Sequence, residues 1–408
     1  MTDPAATVSA VTDPAGSVSA VTGAPGPGQA PRILFVPVSG TYGMGEYARS
    51  MAIAHAASRR WQDAAIHFVL SREAPYAADA PFPATLLASS PTFHSKAVIE
   101  LLEMWRPGVV VFDNAGRTAQ LRAARRLGAR VVYISARPRQ RRKAFRWQWM
   151  RLIDEHWIAY PEFSAGSLRF FERLKLKLVG RPVVRYLDVI LPRADLGRRR
   201  AILSRAGCGE GTFVLLVPGG GTGHPGADDA VGRFTAAART LAARGVPTVY
   251  VGAATASGGE RTSVGTNTGA GTGAGAGAIG AVDEPNWHPL GPLPQADLAE
   301  LMRSARLIVA NGGSTLLQAI ACGGACIAVP IAGDQIERTR RCVAAGVAVA
   351  AALDAAGMVQ AAERLLQNEP QRAALAERAA HLELADGVEV AIQALCALVE
   401  AAPHAAPR

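Results

Sequence analysis

A glycine-rich turn at residues 311–315 carries the clearest potential chemistry in the sequence. It reads Asn-Gly-Gly-Ser-Thr, follows an apolar run at 305–310 and precedes a helix-forming segment at 316–321. Ser314 or Thr315 is well placed to cap that helix at its N-terminus. Because free N–H groups and the positive dipole end point out of a helix N-terminus, this turn favours an anion such as phosphate or pyrophosphate.

The elements around this turn alternate in type. A second apolar run at 325–330 comes next, and a short loop then carries Asp334 and Gln335 into another helix. Strand, glycine turn, helix, strand and helix in this order are typical of a parallel α/β sheet. Further buried strands are predicted at 32–38, 65–70, 108–112, 129–135, 212–218 and 248–252.

The stretch from Asn311 to Gln335 resembles the donor-binding signature of GT-B glycosyltransferases, in particular the MurG-like and UDP-sugar transferase group. The matching residues are Gly312, Gly313, Ser314, Thr315, Gly323, Pro330, Asp334 and Gln335. Two positions differ, because Asn311 replaces the family's usual His and Gln318 replaces its ribose-binding Glu. The resemblance implies an α/β GT-B fold of two Rossmann-like parallel-sheet domains that face each other across a cleft.

The resemblance also implies an activity, that of a metal-independent, hexosyltransferase-type enzyme. Its substrate would be a nucleotide-sugar, with a UDP-sugar as the first expectation, and it would need no cofactor. The acceptor is not identified, and a lipid-linked sugar is one option. By resemblance the nucleotide-sugar would contact Gly220, Gly221, Thr222, Leu290, Leu293, Gly312, Gly313, Ser314, Thr315, Gln318, Asp334 and Gln335.

The loop from Gly43 to Arg49 is similar to the N-terminal GxGHxxR loop of the same group, with Glu46 in place of His. By this resemblance Glu46 faces the cleft, where it could act as the general base toward a sugar hydroxyl. The alternative is that Glu46 only stabilises a helix start. Gly43, Gly45 and Arg49 are candidate substrate-binding residues, although Arg49 could instead pair with Glu46.

Asp113 and Asn114 follow the predicted strand at 108–112. Polar residues at the carboxyl end of a parallel strand often line a ligand crevice, so both are candidate substrate-binding residues. Asp and Asn are also common turn formers, which is the alternative interpretation.

Length and composition predict how the 408 residues are divided. A hydrophobic content of 49% supports two α/β domains. The expected parts are a disordered tail at 1–30, an acceptor-side domain at 31–190, a linker at 191–210 and a donor-binding domain at 211–375 that contains a flexible Gly-rich insertion at 255–281. The Ala-rich segment 358–400 is expected to be helical, and by resemblance its last helix, 376–400, crosses back to the first domain.

Two basic segments contain interleaved aromatic residues, at 137–157 and 169–185. The formal net charge is +10. The first segment suggests a helix that contacts an anionic membrane surface, whereas the alternative is a solvated helix whose Trp side chains pack inward. Nucleic acid is a less favoured partner because neither segment contains a recognised motif. The oligomeric state is not predicted.

The remaining features favour a cytoplasmic protein, peripheral on the inner membrane face if the basic segment contacts lipid. The five cysteines form no CxxC pair, so neither a metal site nor a disulfide framework is expected. No apolar run is long enough for a membrane span, and no secretion signal is recognised.

Two other activities are compatible with the same sequence. MurG-like relatives include UDP-sugar hydrolases, in which water replaces the acceptor. The changes at Asn311, Glu46 and Gln318 also suit a non-catalytic nucleotide-sugar-binding protein. Free sugar, a glycoside or neither as the product would distinguish the three.

Overall fold

The computed structural model describes residues 30–41, 44–219, 229–252 and 285–401. Most of the predicted tail, the Gly-rich insertion and the candidate residues Gly43, Gly220, Gly221 and Thr222 lie outside these ranges. All five cysteines are within them, and none forms a disulfide.

The N-terminal half builds a parallel sheet of seven strands in the order β3-β2-β1-β4-β5-β6-β7. The strands are β1 Arg32–Pro37, β2 Ala65–Ser71, β3 Ala84–Leu87, β4 Val109–Asp113, β5 Arg130–Ser135, β6 Glu155–Ile158 and β7 Val183–Tyr186. Val109 to Phe112 are buried on both faces, as expected for a sheet covered by helices on each side. These helices are α1 Gly45–Arg60, α2 Ser95–Trp105, α3 Thr118–Arg126, α4 Pro138–Ala144, α5 Trp147–Met150, α6 Glu162–Ala165 and α7 Phe170–Val179.

The C-terminal half builds a second parallel sheet, in the order β10-β9-β8-β11-β12-β13. Its strands are β8 Val214–Val217, β9 Thr248–Val251, β10 Trp287–Leu290, β11 Leu307–Asn311, β12 Cys326–Val329 and β13 Val349–Ala350. The helices are α8 Leu196–Ala206, α9 Ala230–Ala243, α10 Gln295–Ser304, α11 Ser314–Ala321, α12 Gly333–Ala344, α13 Ala355–Gln367, α14 Glu369–Ala380 and α15 Gly387–Glu400. Every strand predicted from an apolar run is confirmed, with ends shifted by a few residues.

The chain passes between the two sheets twice, and the two passages pack against each other. Gly387 N–H donates to Val189 O at 3.0 Å, and Ala385 N–H donates to Asp188 Oδ2 at 2.9 Å. A Cβ on Gly387 would collide with the Leu187 carbonyl, so only glycine allows this close approach. The passages therefore lie side by side between the domains.

Several predicted elements differ from the structure. The helical segment 358–400 is divided into α13, α14 and α15, and the helix that packs on the N-terminal sheet begins at Gly387, not at residue 376. The predicted linker 191–210 contains α8, whose Ile202 and Ala206 are buried in the C-terminal core. Composition did not reveal these breaks because Ala-rich sequence favours helix throughout.

The basic segment 137–157 is not one helix. The segment forms the two short helices α4 and α5 and the strand β6, which contains Trp157 and lies between β5 and β7. Phe145, Trp149 and Trp157 are buried, and Trp147 is the segment's one large exposed hydrophobic side chain. The apolar groups of this segment mainly fill the core.

Candidate functional site

The switch point of the C-terminal sheet lies between β8 and β11, where strand order reverses and parallel α/β sheets bind ligands. Asn311 ends β11, and its Nδ2 donates to the Pro218 carbonyl at the end of β8 at 2.8 Å. Its Oδ1 accepts the Gly313 N–H at 2.8 Å. An amide supplies both the donor and the acceptor that this loop needs. Asn311 therefore fixes the turn that starts α11.

Ser314 and Gln318 project from the first turns of α11 into a pocket between the domains. Gln318 Nε2 donates to the Ile190 carbonyl at 3.1 Å, and Gln295 Nε2 donates to the same oxygen at 3.3 Å. Two amides thus hold one carbonyl of the interdomain passage. A Glu at position 318 could not donate this bond, which gives a physical reason for Gln here.

The pocket is lined from both domains and from the passage between them. Its lining residues are Gly45, Ala48, Arg49, Ala159, Tyr160, Asp188, Val189, Ile190, Gln295, Ser314, Leu317 and Gln318. Four predicted site residues thus come together here: Gly45 and Arg49 from α1, and Ser314 and Gln318 from α11. A ligand bound at the N-terminus of α11 would therefore face the first turns of α1.

Arg49 and Asp113 form a buried bidentate ion pair behind the pocket. Arg49 Nε and Nη2 donate to Asp113 Oδ2 and Oδ1 at 2.8 and 2.7 Å. Burial raises the pKa of Asp113 to about 6, an effect that the neighbouring Arg49 opposes. Burial lowers the pKa of Arg49, but Asp113 outweighs this effect and the net shift is upward. The pair joins α1 to β4 and occupies Arg49 and Asp113, two of the side chains that the sequence offered for substrate binding.

Glu46 is held at the start of α1 by two neighbours. Its Oε1 accepts from Asn114 Nδ2 at 2.8 Å and lies 3.9 Å from Arg137 Nη2. Asn114 has a left-handed backbone, with φ of 53°, which Asn adopts more readily than most residues. Its Oδ1 also accepts the Ala136 N–H at 2.8 Å. Asn114 thus orients Glu46 from the ends of β4 and β5.

Helix α12 supports the C-terminal-domain side of the pocket. The buried Arg338 donates from Nη1 to the Gly312 carbonyl at 2.9 Å, and its guanidinium carbon lies 4.3 Å from the ring centre of Tyr160 in the other domain. Arg341 donates to the Ser164 carbonyl at 2.9 Å. These contacts connect the glycine turn to the N-terminal domain.

Within the described ranges, the other residues predicted to bind the nucleotide-sugar are not among the residues that line the pocket. Asp334 is exposed, and Gln335 is buried with its Oε1 accepting the Ile331 N–H at 2.9 Å. Leu290 is buried in the C-terminal core, and Leu293 packs against that core partly buried. Thr315 follows Ser314 in the first turn of α11. These site assignments stay predictions.

Sequence reasoning missed Tyr160, Arg338, Gln295 and Asp188. Tyr160 and Asp188 follow β6 and β7, and no local motif marks them. Their place at the pocket follows only from how the two domains meet. The described residues contain no group of three or more His, Cys, Asp or Glu side chains that could hold a metal ion.

The fold has many solved counterparts. Neither a family model nor a curated protein matches the chain. Phytolacca americana UGT2 complexed with UDP-2fluoro-glucose and pterostilbene matches with a TM-score of 0.60 at 13% identity, covering 91% of this chain and all of that one. The chain has the GT-B fold.

Other solved structures of similar fold carry different names. Acinetobacter baumannii MurG matches with a TM-score of 0.57 at 16% identity, covering 90% of this chain and 99% of its own. A putative UDP-N-acetylglucosamine 2-epimerase from Listeria monocytogenes matches with a TM-score of 0.54 at 13% identity, covering 91% and 96%. The GT-B fold therefore supports different reactions, and the site must decide among them.

Proposed function

We propose that this GT-B protein is a glycosyltransferase that moves a sugar from a UDP-sugar to an acceptor bound at the N-terminal domain. The carrying observation is the interdomain pocket, where the N-terminus of α11 with Ser314 and Gln318 faces Gly45 and Arg49 of α1. The UDP-sugar ligand of the plant GT-B neighbour supports this donor class.

In the proposed reaction, Glu46 removes the proton of an acceptor hydroxyl. The acceptor oxygen then forms a bond to the anomeric carbon as the bond from that carbon to the diphosphate oxygen breaks, and UDP leaves. N–H groups at the start of α11 stabilise the charge that develops on the diphosphate. This step uses only groups of the protein and needs no metal.

The carboxylate of Glu46 can be tested separately from the binding of the donor. We expect Glu46→Gln to lower turnover by about 10²- to 10⁴-fold, because the amide cannot accept the proton. Donor affinity should stay unchanged, since α11 is untouched. Glu73→Gln, an exposed acid outside the site, is the control.

The measurement is release of UDP from a panel of UDP-sugars with mixed acceptors, with mass spectrometry of the sugar product. A glycoside supports transfer, whereas free sugar in the presence of acceptor would assign a hydrolase. Donor binding without UDP release would favour a non-catalytic binding protein. Full activity of Glu46→Gln would remove Glu46 from the mechanism.

A further inference from the structure

Helix α7 exposes an apolar face that nothing in the described chain covers. Phe170, Phe171, Leu174 and Leu178 are 73, 72, 41 and 68% exposed. They are four of the twelve large hydrophobic side chains exposed in the described residues. Successive residues of an α-helix are rotated by about 100° around its axis, and this rotation places the four side chains on one side of α7. These four side chains are called the α7 face below.

Cationic side chains border the α7 face on both sides. By helical position Lys177 and Arg173 lie along one edge and Lys175 along the other. Lys175 Nζ lies 5.6 Å from the ring centre of Trp147, which is 45% exposed and extends the apolar surface toward α5. The surface is therefore an apolar stripe between cations.

The one acidic residue of α7 points away from this surface. Glu172 is buried, and its Oε2 accepts from Arg141 Nη2 at 2.7 Å. Arg141 also donates to the Gly166 and Ser167 carbonyls at 2.6 and 2.8 Å. The helix is thus fixed through its polar side, with its apolar side turned outward.

We propose that the α7 face binds the surface of an anionic lipid bilayer. The Phe and Leu side chains would enter the boundary between headgroups and acyl chains, while the exposed Arg173 and Lys177 reach the phosphates. A protein partner fits this surface less well, because Lys is depleted at protein interfaces. The inference does not depend on the proposed reaction.

The test is co-sedimentation of the full-length protein with vesicles of phosphatidylcholine, with and without about one third phosphatidylglycerol. We expect binding to the anionic vesicles only, weakened by salt. Leu178→Ser should weaken it about tenfold, whereas Leu196→Ser, at 66% exposure on α8, is the matched control and should not. Lys177→Glu should weaken binding at least about fivefold, and Lys96→Glu, which changes the net charge equally, much less.

Two results would overturn the proposal. One is equal sedimentation with neutral and anionic vesicles, or none with either. The other is self-association in the absence of vesicles that Leu178→Ser abolishes, because the α7 face would then bind a second copy of the chain.

Discussion

At the scale of single residues, the ion pair of Arg49 and Asp113 shows how the site is kept rigid. Both side chains are buried, and the pair ties the start of the site helix α1 to the end of β4. Removing one partner would leave an uncompensated charge in the interior, which is costly. The pair therefore fixes the first turns of α1, where Glu46 lies three residues before Arg49.

Asp113→Asn tests this role. We expect it to lower the free energy of unfolding by about 3–5 kcal/mol, because Arg49 stays charged and buried. Asp297→Asn, which disrupts the more exposed pair with Arg198, should cost about 1 kcal/mol or less. Chemical denaturation measures both, and equal losses would contradict the distinction.

A buried histidine makes stability depend on pH. His156 is fully buried beside Ser135, and burial lowers its pKa to about 3. The unfolded chain, with a His pKa of about 6.5, binds the proton more readily. The contribution of His156 to the free energy of unfolding is therefore complete above a pH of about 6.5, and it decreases as the pH falls from about 6.5 toward 3.

We expect His156 to lower the free energy of unfolding by about 2 kcal/mol when the pH falls from 7 to 5. His156→Gln should reduce the pH dependence by that amount, and the exposed His381→Gln should leave it unchanged. Urea unfolding at the two pH values measures the difference. The same pH dependence in His156→Gln and in wild type would show that His156 titrates normally.

At the scale of elements, α12 connects the glycine turn before α11 to the opposite domain through Arg338. We expect a coupling free energy of about 1–2 kcal/mol between Arg338→Met and Tyr160→Leu in a double-mutant cycle of unfolding. Arg340→Met, on the exposed side of the same helix, should show no coupling to Tyr160→Leu. Additive effects for Arg338 and Tyr160 would mean that the stacking contributes nothing.

The sequence predicted the helices and strands better than it predicted the tertiary contacts of the site residues. Apolar runs located the strands, and the glycine turn located the start of α11, because both signals are local. The contacts of Arg338 and Gln318 reach residues more than one hundred positions away, so no spacing rule could supply them. The buried Trp149 and the exposed Phe171 lie in similar basic sequence, and only packing separates them.

At the scale of the whole molecule, two parallel sheets direct the ends of their strands toward one interdomain pocket. The N-terminal domain supplies Gly45 and Arg49, the C-terminal domain supplies Ser314 and Gln318, and the passage at Asp188 to Ile190 supplies part of the pocket wall. No helix in the described ranges is both long and apolar enough to cross a bilayer.

We propose that the N-terminus of α11 binds the diphosphate of a nucleotide. Ser314→Pro tests it, because proline suits the first helical position and removes one N–H that has no partner within the helix. Gly313 before it is already extended, as proline requires. Leu196→Pro, at the first position of α8 after the extended Asp195, is the matched control.

The measurement is the thermal unfolding temperature of the wild type and both variants with UDP, GDP and dTDP. We predict that UDP raises the wild-type unfolding temperature by mass action and that Ser314→Pro weakens UDP about tenfold. Leu196→Pro should bind as the wild type does. No shift with any nucleotide, or an unchanged shift in Ser314→Pro, would contradict the account.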